Sequence, residues 1–382
     1  MSFTLEDRQY MARALQLAQR GLYTTDPNPR VGAVLVNEGH IVGEGWHQWA
    51  GEPHAERIAL DAVGERARGA TCYVTLEPCC HQGRTGPCVQ ALIDAGVQRV
   101  VAAMKDPNPQ VAGQGLALLD EAGIATACGL LEDDARALNP GFIARMTRSR
   151  PFVRLKLAMS LDGRTAMASG ESKWITGAAA REDVQRIRAR SSAIVTGVGT
   201  VLTDNPAFTV RPDQWQLADY PSYPAYPDHV EARVRQPLRV VLDGRLQTAS
   251  QSKVIAGQGQ SLVVAREQNA SASKALEDAG AQVLILPGSG SGLDLVALLA
   301  ALAARECNEI LVESGPTLAA ACVREKLADE IWVYMAPVLM GSSARPLLNL
   351  PDIVSMDQRI QWKLTDVRHL GADLRLTLRP EN

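Results

Sequence analysis

No stretch of this chain is apolar over the roughly 20 residues that a membrane-spanning helix needs. The nearest candidate, LDLVALLAALAA at 293–304, is too short and predicts a buried helix. The N-terminus, MSFTLEDRQY, lacks the basic-then-apolar run of a secretion signal, so a cytoplasmic protein is expected. Cysteine is sparse and irregular: the seven residues form no regular framework, which argues against a disulfide scaffold and fits a reducing compartment. Strong charge of one sign is also missing, the formal net charge being −3. What imbalance there is sits in the first half, where residues 1–147 hold 17 acidic and 12 basic side chains against 25 and 27 in residues 148–382. An acidic first half disfavours a long polyanion such as tRNA, so a small-molecule substrate is expected, with neither nucleic acid nor membrane as partner. The length of 382 residues leaves room for two domains, each with its own core.

The first half alternates helix and strand signals. An amphipathic helix is expected from about 5 to 20, because Thr4 and Asp7 have capping-box spacing, Met11, Leu15 and Ala18 share a face, and Gly21 suits the C-terminal end. VGAVLV (31–36), HIVGEGW (40–46), TCYVTL (71–76) and RVVAAM (99–104) read as strands, with helices at about 54–62 and 88–95 and Gly96 as a cap. The pattern predicts a three-layer α/β sandwich. A break at RMTRSRP (145–151) places the domain boundary at 147/148. Beyond it FVRLKLAMS, AIVTGV, LRVVLDG, SLVVA, QVLILPG, EILVESG and EIWVYMAPVL predict a second, mostly parallel sheet, closed by a hairpin through KLTDVRHL and LRLTLR. The Pro- and Tyr-rich segment 212–237 reads as a solvated loop rather than a functional lid.

The chemistry lies in PHAE at 53–56 and EPCCHQGRTGPC at 77–88. A histidine two residues before a glutamate, followed by a Pro-Cys and a further cysteine, is the layout of a hydrolytic zinc site that deaminates nucleobases. If Pro53 occupies the first turn of a helix, His54 and Glu56 project from the same turn. Cys79 follows a strand and Cys88 begins a helix, where the dipole favours thiolate. His54, Cys79 and Cys88 would hold Zn2+, and Glu56 remains as the proton-moving catalytic carboxylate. The competing structural reading is a closed zinc knuckle, with Cys80 or His81 as a fourth ligand. The eight residues between Cys79 and Cys88 fit it poorly, and it leaves Glu56 without a role.

PNPRVGAVLV (27–36), GEGWHQWAGEPHAE (43–56), TLEPCCHQGRTGPC (75–88) and DPNPQVAGQGL (106–116) resemble the deaminase half of the RibD family of bifunctional riboflavin-biosynthesis enzymes. RPFVRLKLAMSLDGRTA (150–166), SGESKWITG (169–177), GVGTVLTDNPAFTVR (197–211) and VESGPTLAAAC (312–322) resemble its reductase half, in the family's order. The resemblance implies a cytidine-deaminase-like domain followed by a dihydrofolate-reductase-like domain that uses NADPH. It implies a diamino-pyrimidinone ribosylamino 5′-phosphate as substrate, deaminated and then reduced at the ribosyl group. Asn28, His47, His81 and Arg84 would contact that substrate in the first half, with Thr85 close by. In the second half Ser172, Arg188, Phe208, Arg211 and Glu313 would contact substrate. Ala158, Trp174, Thr200, Asp204, Gly244 and the turn Gly315, Pro316, Thr317, Leu318, Ala319, Ala320, Ala321 would contact NADPH.

Without the resemblance, the arginines read as solvated charges, Trp174 as core, and the Gly315 turn as punctuation. Lys156 and Asp204 are the ionisable groups nearest to a role in the reduction. Cys80, where the family commonly has serine, and Gly86, in place of a proline, depart from its pattern. The alternatives are a free-base or RNA-base deaminase with a non-catalytic nucleotide-binding second domain, and a metal-stabilised scaffold. A homo-oligomer is expected because small α/β domains with exposed helices often pair.

Overall fold

The computed structural model describes residues 3–81, 86–211, 235–286, 288–289 and 292–381, which include all the expected site residues except Arg84. The 212–237 loop, apart from its last three residues, and the Thr85 position lie outside them. The chain forms two compact units, Met1–Arg150 and Pro151–Asn382.

In the first unit helix α1 spans Leu5–Gln19 and starts where Thr4 and Asp7 cap each other reciprocally. Asp7 then accepts from the Tyr73 hydroxyl at 2.7 Å and the Arg99 guanidinium at 2.8 Å, tying the helix start to two strands. The remaining elements are β1 (Gly32–Asn37), β2 (His40–Trp46), α2 (Ala55–Asp61), β3 (Thr71–Val74), α3 (Cys88–Asp94), β4 (Arg99–Ala102), α4 (Gln114–Glu121), β5 (Ala125–Cys128), α5 (Glu132–Leu138) and α6 (Pro140–Arg148). The sheet order is β2-β1-β3-β4-β5, with β3, β4 and β5 parallel.

Two glycines show how the layers stack. A Cβ on Gly32 would lie 2.1 Å from the Ala14 carbonyl of α1, and one on Gly45 would lie 2.2 Å from the Ala55 carbonyl of α2. Gly45 pairs with Ala33, the neighbour of Gly32, so the two glycines face opposite sides of the sheet. The helices therefore press on opposite faces so closely that no side chain fits between. Gly96 closes α3 in the left-handed region as expected, at φ 69°. Gly21 does not act that way: its missing side chain makes room for Thr25 and the His47 carbonyl, while Arg20 ends α1. The third-layer helices after Gln114 and strand β5 had no strong signal in the sequence, being short and only partly apolar. Helix α6 also runs unbroken to Arg148, so the charge in 145–150 belongs to a helix end rather than a linker.

The second unit opens with β6 (Phe152–Ser160), β7 (Arg164–Ala166), α7 (Ala178–Arg190), β8 (Ala193–Gly197) and α8 (Val198–Asp204). It continues with β9 (Leu238–Leu242), α9 (Lys253–Ala256), β10 (Ser261–Ala265), α10 (Ala270–Asp278), β11 (Gln282–Ile285), β12 (Gly288–Ser289) and β13 (Gly292–Leu293). Then follow α11 (Leu295–Ala304), β14 (Glu309–Glu313), α12 (Pro316–Arg324), β15 (Glu330–Ala336), β16 (Arg345–Pro346), β17 (Trp362–Leu370) and β18 (Asp373–Pro380). The main sheet runs β11-β10-β9-β8-β14-β6-β15-β18-β17, parallel from β11 to β15 and closed by the antiparallel β17–β18 hairpin. From β8 the chain steps outward through β9, β10 and β11, and from β14 it steps the other way, past β6 to β15. The gap between the C-terminal ends of β8 and β14 is thus a topological switch point, where open α/β sheets leave a crevice for ligands.

Replacing Gly45 by Ala should destabilise the first unit by about 1–3 kcal/mol through the clash with α2. Hydrogen exchange should accelerate in 40–46 and 55–61 while β6 to β15 keep their protection.

Candidate active sites

In the first unit three metal-type donors meet. His54 is the N-cap of α2, Cys88 is the first residue of α3, and Cys79 lies in the loop after β3. Pro53 therefore precedes the helix and does not occupy its first turn; the extended backbone of His54, at ψ 163°, turns its ring toward the sulfurs. The His54 Nδ1 is 3.5 Å from Cys79 Sγ and 3.4 Å from Cys88 Sγ, and the three donor atoms all lie within 4.8 Å of one another. Tetrahedral zinc with bonds of about 2.3 Å to sulfur and 2.0 Å to nitrogen sets an S···N separation of about 3.5 Å, so the donors fit the ion in kind and in spacing. Among the described residues no fourth His, Cys, Asp or Glu joins the cluster. Cys80 points its sulfur toward the Gln110 carbonyl at 3.8 Å, and His81 is exposed.

The electrostatics suit a cation. A hydrogen bond from Cys88 holds Cys79 down at about 4 against the opposing effect of burial, helped by His54, and the same contact drives Cys88 upward. Two sulfurs this close cannot both stay charged unless a cation shares them. Glu56, in the first turn of α2, is buried beside them, and that burial pushes its carboxyl up to about 7. It interacts with His54, Cys79 and Cys88.

Two supports complete the site. His47 is 2 % exposed, and burial lowers it to about 4, so it is neutral. Its Nδ1 lies 3.1 Å from the Pro53 carbonyl, which can only accept, so Nδ1 carries the proton and Nε2 accepts from Asn28 Nδ2 at 3.0 Å. Asn28 and His47 thus hold each other and the peptide that leads into His54. The second support, Glu77, was not singled out in the sequence. Its buried carboxylate accepts from four backbone N–H groups: Asp106 at 3.0 Å, Gly113 at 2.9 Å, Gly115 at 2.9 Å and Leu116 at 3.2 Å. The only sequence hint is a lone acid wedged between an apolar strand and Pro78-Cys79. Asp106, whose own carboxylate caps Asn108 at 2.8 Å, is pushed up to about 6 by burial.

In the second unit a cleft of about 2440 Å³ opens at the switch point. That exceeds the several hundred cubic ångströms a single small ligand fills, and so has space for a dinucleotide and a substrate together. Its lining brings together Ala158, Ser172, Trp174, Arg188, Thr200, Asp204, Phe208, Arg211, Gly244, Glu313, Gly315, Pro316, Thr317, Leu318 and Ala321. Two expected members are absent: Ala319 and Ala320 are buried, because helical periodicity turns those positions of α12 into the core. Trp174, far from being core, is 73 % exposed and lies 4.8 Å from the Arg181 guanidinium. Cβ atoms built on Gly197, Gly199 or Gly315 would meet no protein atom within 4 Å, so bare backbone faces the cleft on both sides of the switch point. Open backbone of this kind at the starts of α8 and α12 leaves room for a phosphate to approach, as a dinucleotide requires.

Arg188 and Glu313, each expected to touch substrate, are bonded to one another by paired contacts of 2.6 and 2.9 Å. Helix α7 is placed for this by Asp183, which accepts from the Tyr334 hydroxyl and from Arg375, both at 2.8 Å. Arg188 also lies 5.5 Å from the ring of Phe208, whose φ of 50° is strained for a bulky residue. Lys156 lines the same wall, 5.7 Å from the Tyr334 ring. Burial lowers its ammonium below the usual range, with Glu313 opposing and Arg188 adding to the fall.

Residues 5–104 match the cytidine and deoxycytidylate deaminase zinc-binding region, and residues 151–376 match the RibD C-terminal domain. Fold and sites together define a zinc deaminase joined to an oxidoreductase. The riboflavin biosynthesis protein RibD of Escherichia coli K12 is 49 % identical, over 98 % of this chain and 99 % of that protein. The solved RibD of Acinetobacter baumannii is 44 % identical with a TM-score of 0.88, covering 99 % of each chain. A Thermotoga maritima structure described as a diaminohydroxyphosphoribosylaminopyrimidine deaminase/5-amino-6-(5-phosphoribosylamino)uracil reductase is 31 % identical, with a TM-score of 0.83 over 98 % and 99 % of the two chains. The chain belongs to the RibD family of bifunctional riboflavin-biosynthesis deaminase/reductases.

Replacing Glu77 by Ala leaves four backbone donors without their acceptor and should cost about 3 kcal/mol or more of local stability. The variant is expected to lose zinc to a chelator at least tenfold faster than the parent, followed with a colorimetric zinc indicator; equal release rates would show that Glu77 does not hold the Cys79 loop.

Proposed function

We propose that the chain removes the 2-amino group of 2,5-diamino-6-ribosylamino-4(3H)-pyrimidinone 5′-phosphate by hydrolysis. It then reduces the ribosyl group of 5-amino-6-(5-phosphoribosylamino)uracil to a ribityl chain with NADPH. The observation that carries this reading is the meeting of His54, Cys79 and Cys88 beside the buried carboxyl of Glu56. We assign residues 1–150 to the deaminase and 151–382 to the reductase, following the two compact units, since the boundary expected at 147/148 would cut the last turn of α6.

His54, Cys79 and Cys88 would hold zinc, which supplies an acidified water, while NADPH supplies hydride. Glu56, buried in the first turn of α2 beside the three donors, is the carboxyl placed to take and return a proton. It accepts a proton from the attacking water and passes it to the ring nitrogen, then carries the proton of the new hydroxyl to the amine as the C–N bond breaks, so that water is consumed and ammonia leaves. Asn28 and His47 fix the peptide that carries His54, and so act by positioning the ligand whether or not they also reach substrate.

In the reduction, NADPH would supply the hydride for C1′, and the oxygen released as the C1′–ring oxygen bond opens needs a proton from the chain. Lys156 is our candidate donor, since its lowered ammonium gives the proton up more readily. Ser172 and Arg211 line the same cleft and are our candidates to recognise substrate polar groups, beside the mutually bonded Arg188 and Glu313. The same reading makes the protein cytoplasmic and oligomeric. No helix among the described residues is long and apolar enough to cross a membrane. The edge strand β17 exposes Leu364 and Val367, the kind of surface a second copy covers.

Glu56→Gln should abolish ammonia release while zinc content stays at the parental level and the deaminated product is still reduced. Lys156→Met should slow single-turnover NADPH oxidation by about 10²- to 10⁴-fold with cofactor affinity retained. An unchanged single-turnover rate removes Lys156 from the mechanism.

A further inference from the structure

Resting on the reading of the second unit as the reductase, we infer that Asp373, in the terminal hairpin, is a positioning residue for the reduction. It fixes the peptide joining Thr176 to Gly177 and, through Arg181, the orientation of the Trp174 indole in the wall of the cleft. Asp373 opens β18 just after the turn at Gly371, 196 positions along the chain from Gly177. It is 3 % exposed, and its Oδ2 accepts from the Gly177 N–H at 2.7 Å. The carbonyl of the same peptide, that of Thr176, accepts from Arg181 Nη1 at 2.8 Å. One peptide group is therefore held from both sides, by a carboxylate of the hairpin and a guanidinium of α7.

Arg181 carries the restraint on to the cleft. Its guanidinium lies over the Trp174 ring at 4.8 Å from the centroid, and that indole is otherwise largely open to solvent. An aromatic ring with so little packing around it takes its orientation from the cation on its face. Ser172, Trp174, Thr176 and Arg181 all line the cleft, and Asp373 stands behind them, outside that lining.

The sequence of α7 explains why an acid from elsewhere is needed. The helix starts Gly177-Ala178-Ala179-Ala180, with no side-chain cap and no acid in its first turn, and alanine stands where a capping box has its glutamate. Asp373 takes the place of that glutamate: it bonds the N–H of the N-cap and sets a carboxylate at the positive end of the helix. The hairpin turn packs at the same point, since a Cβ on Gly371 would lie 3.6 Å from Ala179 Cβ. Further along, Arg375 of β18 bonds Asp183 of the same helix at 2.8 Å, so the hairpin holds α7 at its start and again at its middle.

Single-turnover NADPH oxidation with the deaminated substrate, both saturating, tests this on the parent, Asp373→Ala, Asp373→Asn, Arg181→Met and the double variant of Asp373→Ala with Arg181→Met. Asp373→Ala should slow hydride transfer about tenfold to a hundredfold, as misplacement of a reacting group by about an ångström does. Asp373→Asn, whose amide oxygen can still accept from Gly177, should restore most of the rate. Because Asp373 and Arg181 act through one peptide, the double variant should be little slower than the slower single one. In chain labelled with 5-fluorotryptophan, the Trp174 fluorine signal, assigned with Trp174→Phe, should move in Asp373→Ala while those of Trp46 and Trp49 in the first unit stay. A parental rate in Asp373→Ala, multiplied losses in the double variant, or a lost rate with an unmoved Trp174 signal each overturns the proposal, the last by leaving Asp373 a merely structural role. If the parent itself oxidises no NADPH, the reductase reading fails and the part of Asp373 in reduction fails with it. A Trp174 signal that still moves in Asp373→Ala distinguishes that result from failure of the peptide clamp.

Discussion

The deaminase site hangs on one buried carboxylate. Glu77 ends the segment that leads out of β3, and its two oxygens collect four peptide N–H groups from the 106–116 loop and the start of α4. Charge-assisted bonds of this kind are roughly twice as strong as neutral ones. They also give each of those peptide N–H groups an acceptor. A Cβ on Gly115 would sit 2.1 Å from the Pro78 carbonyl, so the loop closes directly on the peptide that precedes Cys79. Cys79 is thus fixed by a clamp that never touches the metal, as Asn28 and His47 fix the approach to His54 from the other side. Three donors contributed by separate segments meet within 4.8 Å because each segment is tied independently.

The reductase cleft solves the opposite problem. Its position follows from chain order: the connections leaving β8 and β14 run in opposite directions and leave a crevice between the C-terminal ends of those strands. Bare backbone at Gly197, Gly199 and Gly315 keeps that crevice open. Rigidity then has to come from the floor, and the chain Arg375–Asp183–Tyr334 supplies it by anchoring α7 to β15 and β18. Hydrolysis at a metal works in a compact, closed site, whereas hydride transfer must admit two partners side by side, and the two units differ in that respect.

Much of this was legible in the residues. The zinc donors and Glu56 stand in a spacing that residues selected only for packing would seldom adopt. The strands of both sheets are apolar runs long enough to be recognised, HIVGEGW, FVRLKLAMS and SLVVA to the residue. The misses share a cause: each depends on a partner far along the chain. Glu77 looks like any acid until the loop 29 residues on folds back to it. Pro53 fails to start α2 because the extended backbone at His54 serves the sulfurs better than a helical one would.

The Arg188–Glu313 pair carries that lesson into energetics. Either residue alone in a half-closed cleft reads as a ligand for a charged substrate, yet together they form a fork with two short contacts, and the pair presents little net charge. Desolvating such a pair often costs as much as its attraction returns, so stability alone does not account for it. Its use is geometric. Arg188 also reaches the Thr209 carbonyl at 3.4 Å and lies over the ring of Phe208, the residue held at φ 50°. The ion pair thereby spans α7, β14 and the strained turn at 208–209, converting a charge contact into a fixed wall. Lys156 is buried near both the pair and the ring of Tyr334, so its ammonium feels Glu313 and Arg188 at once.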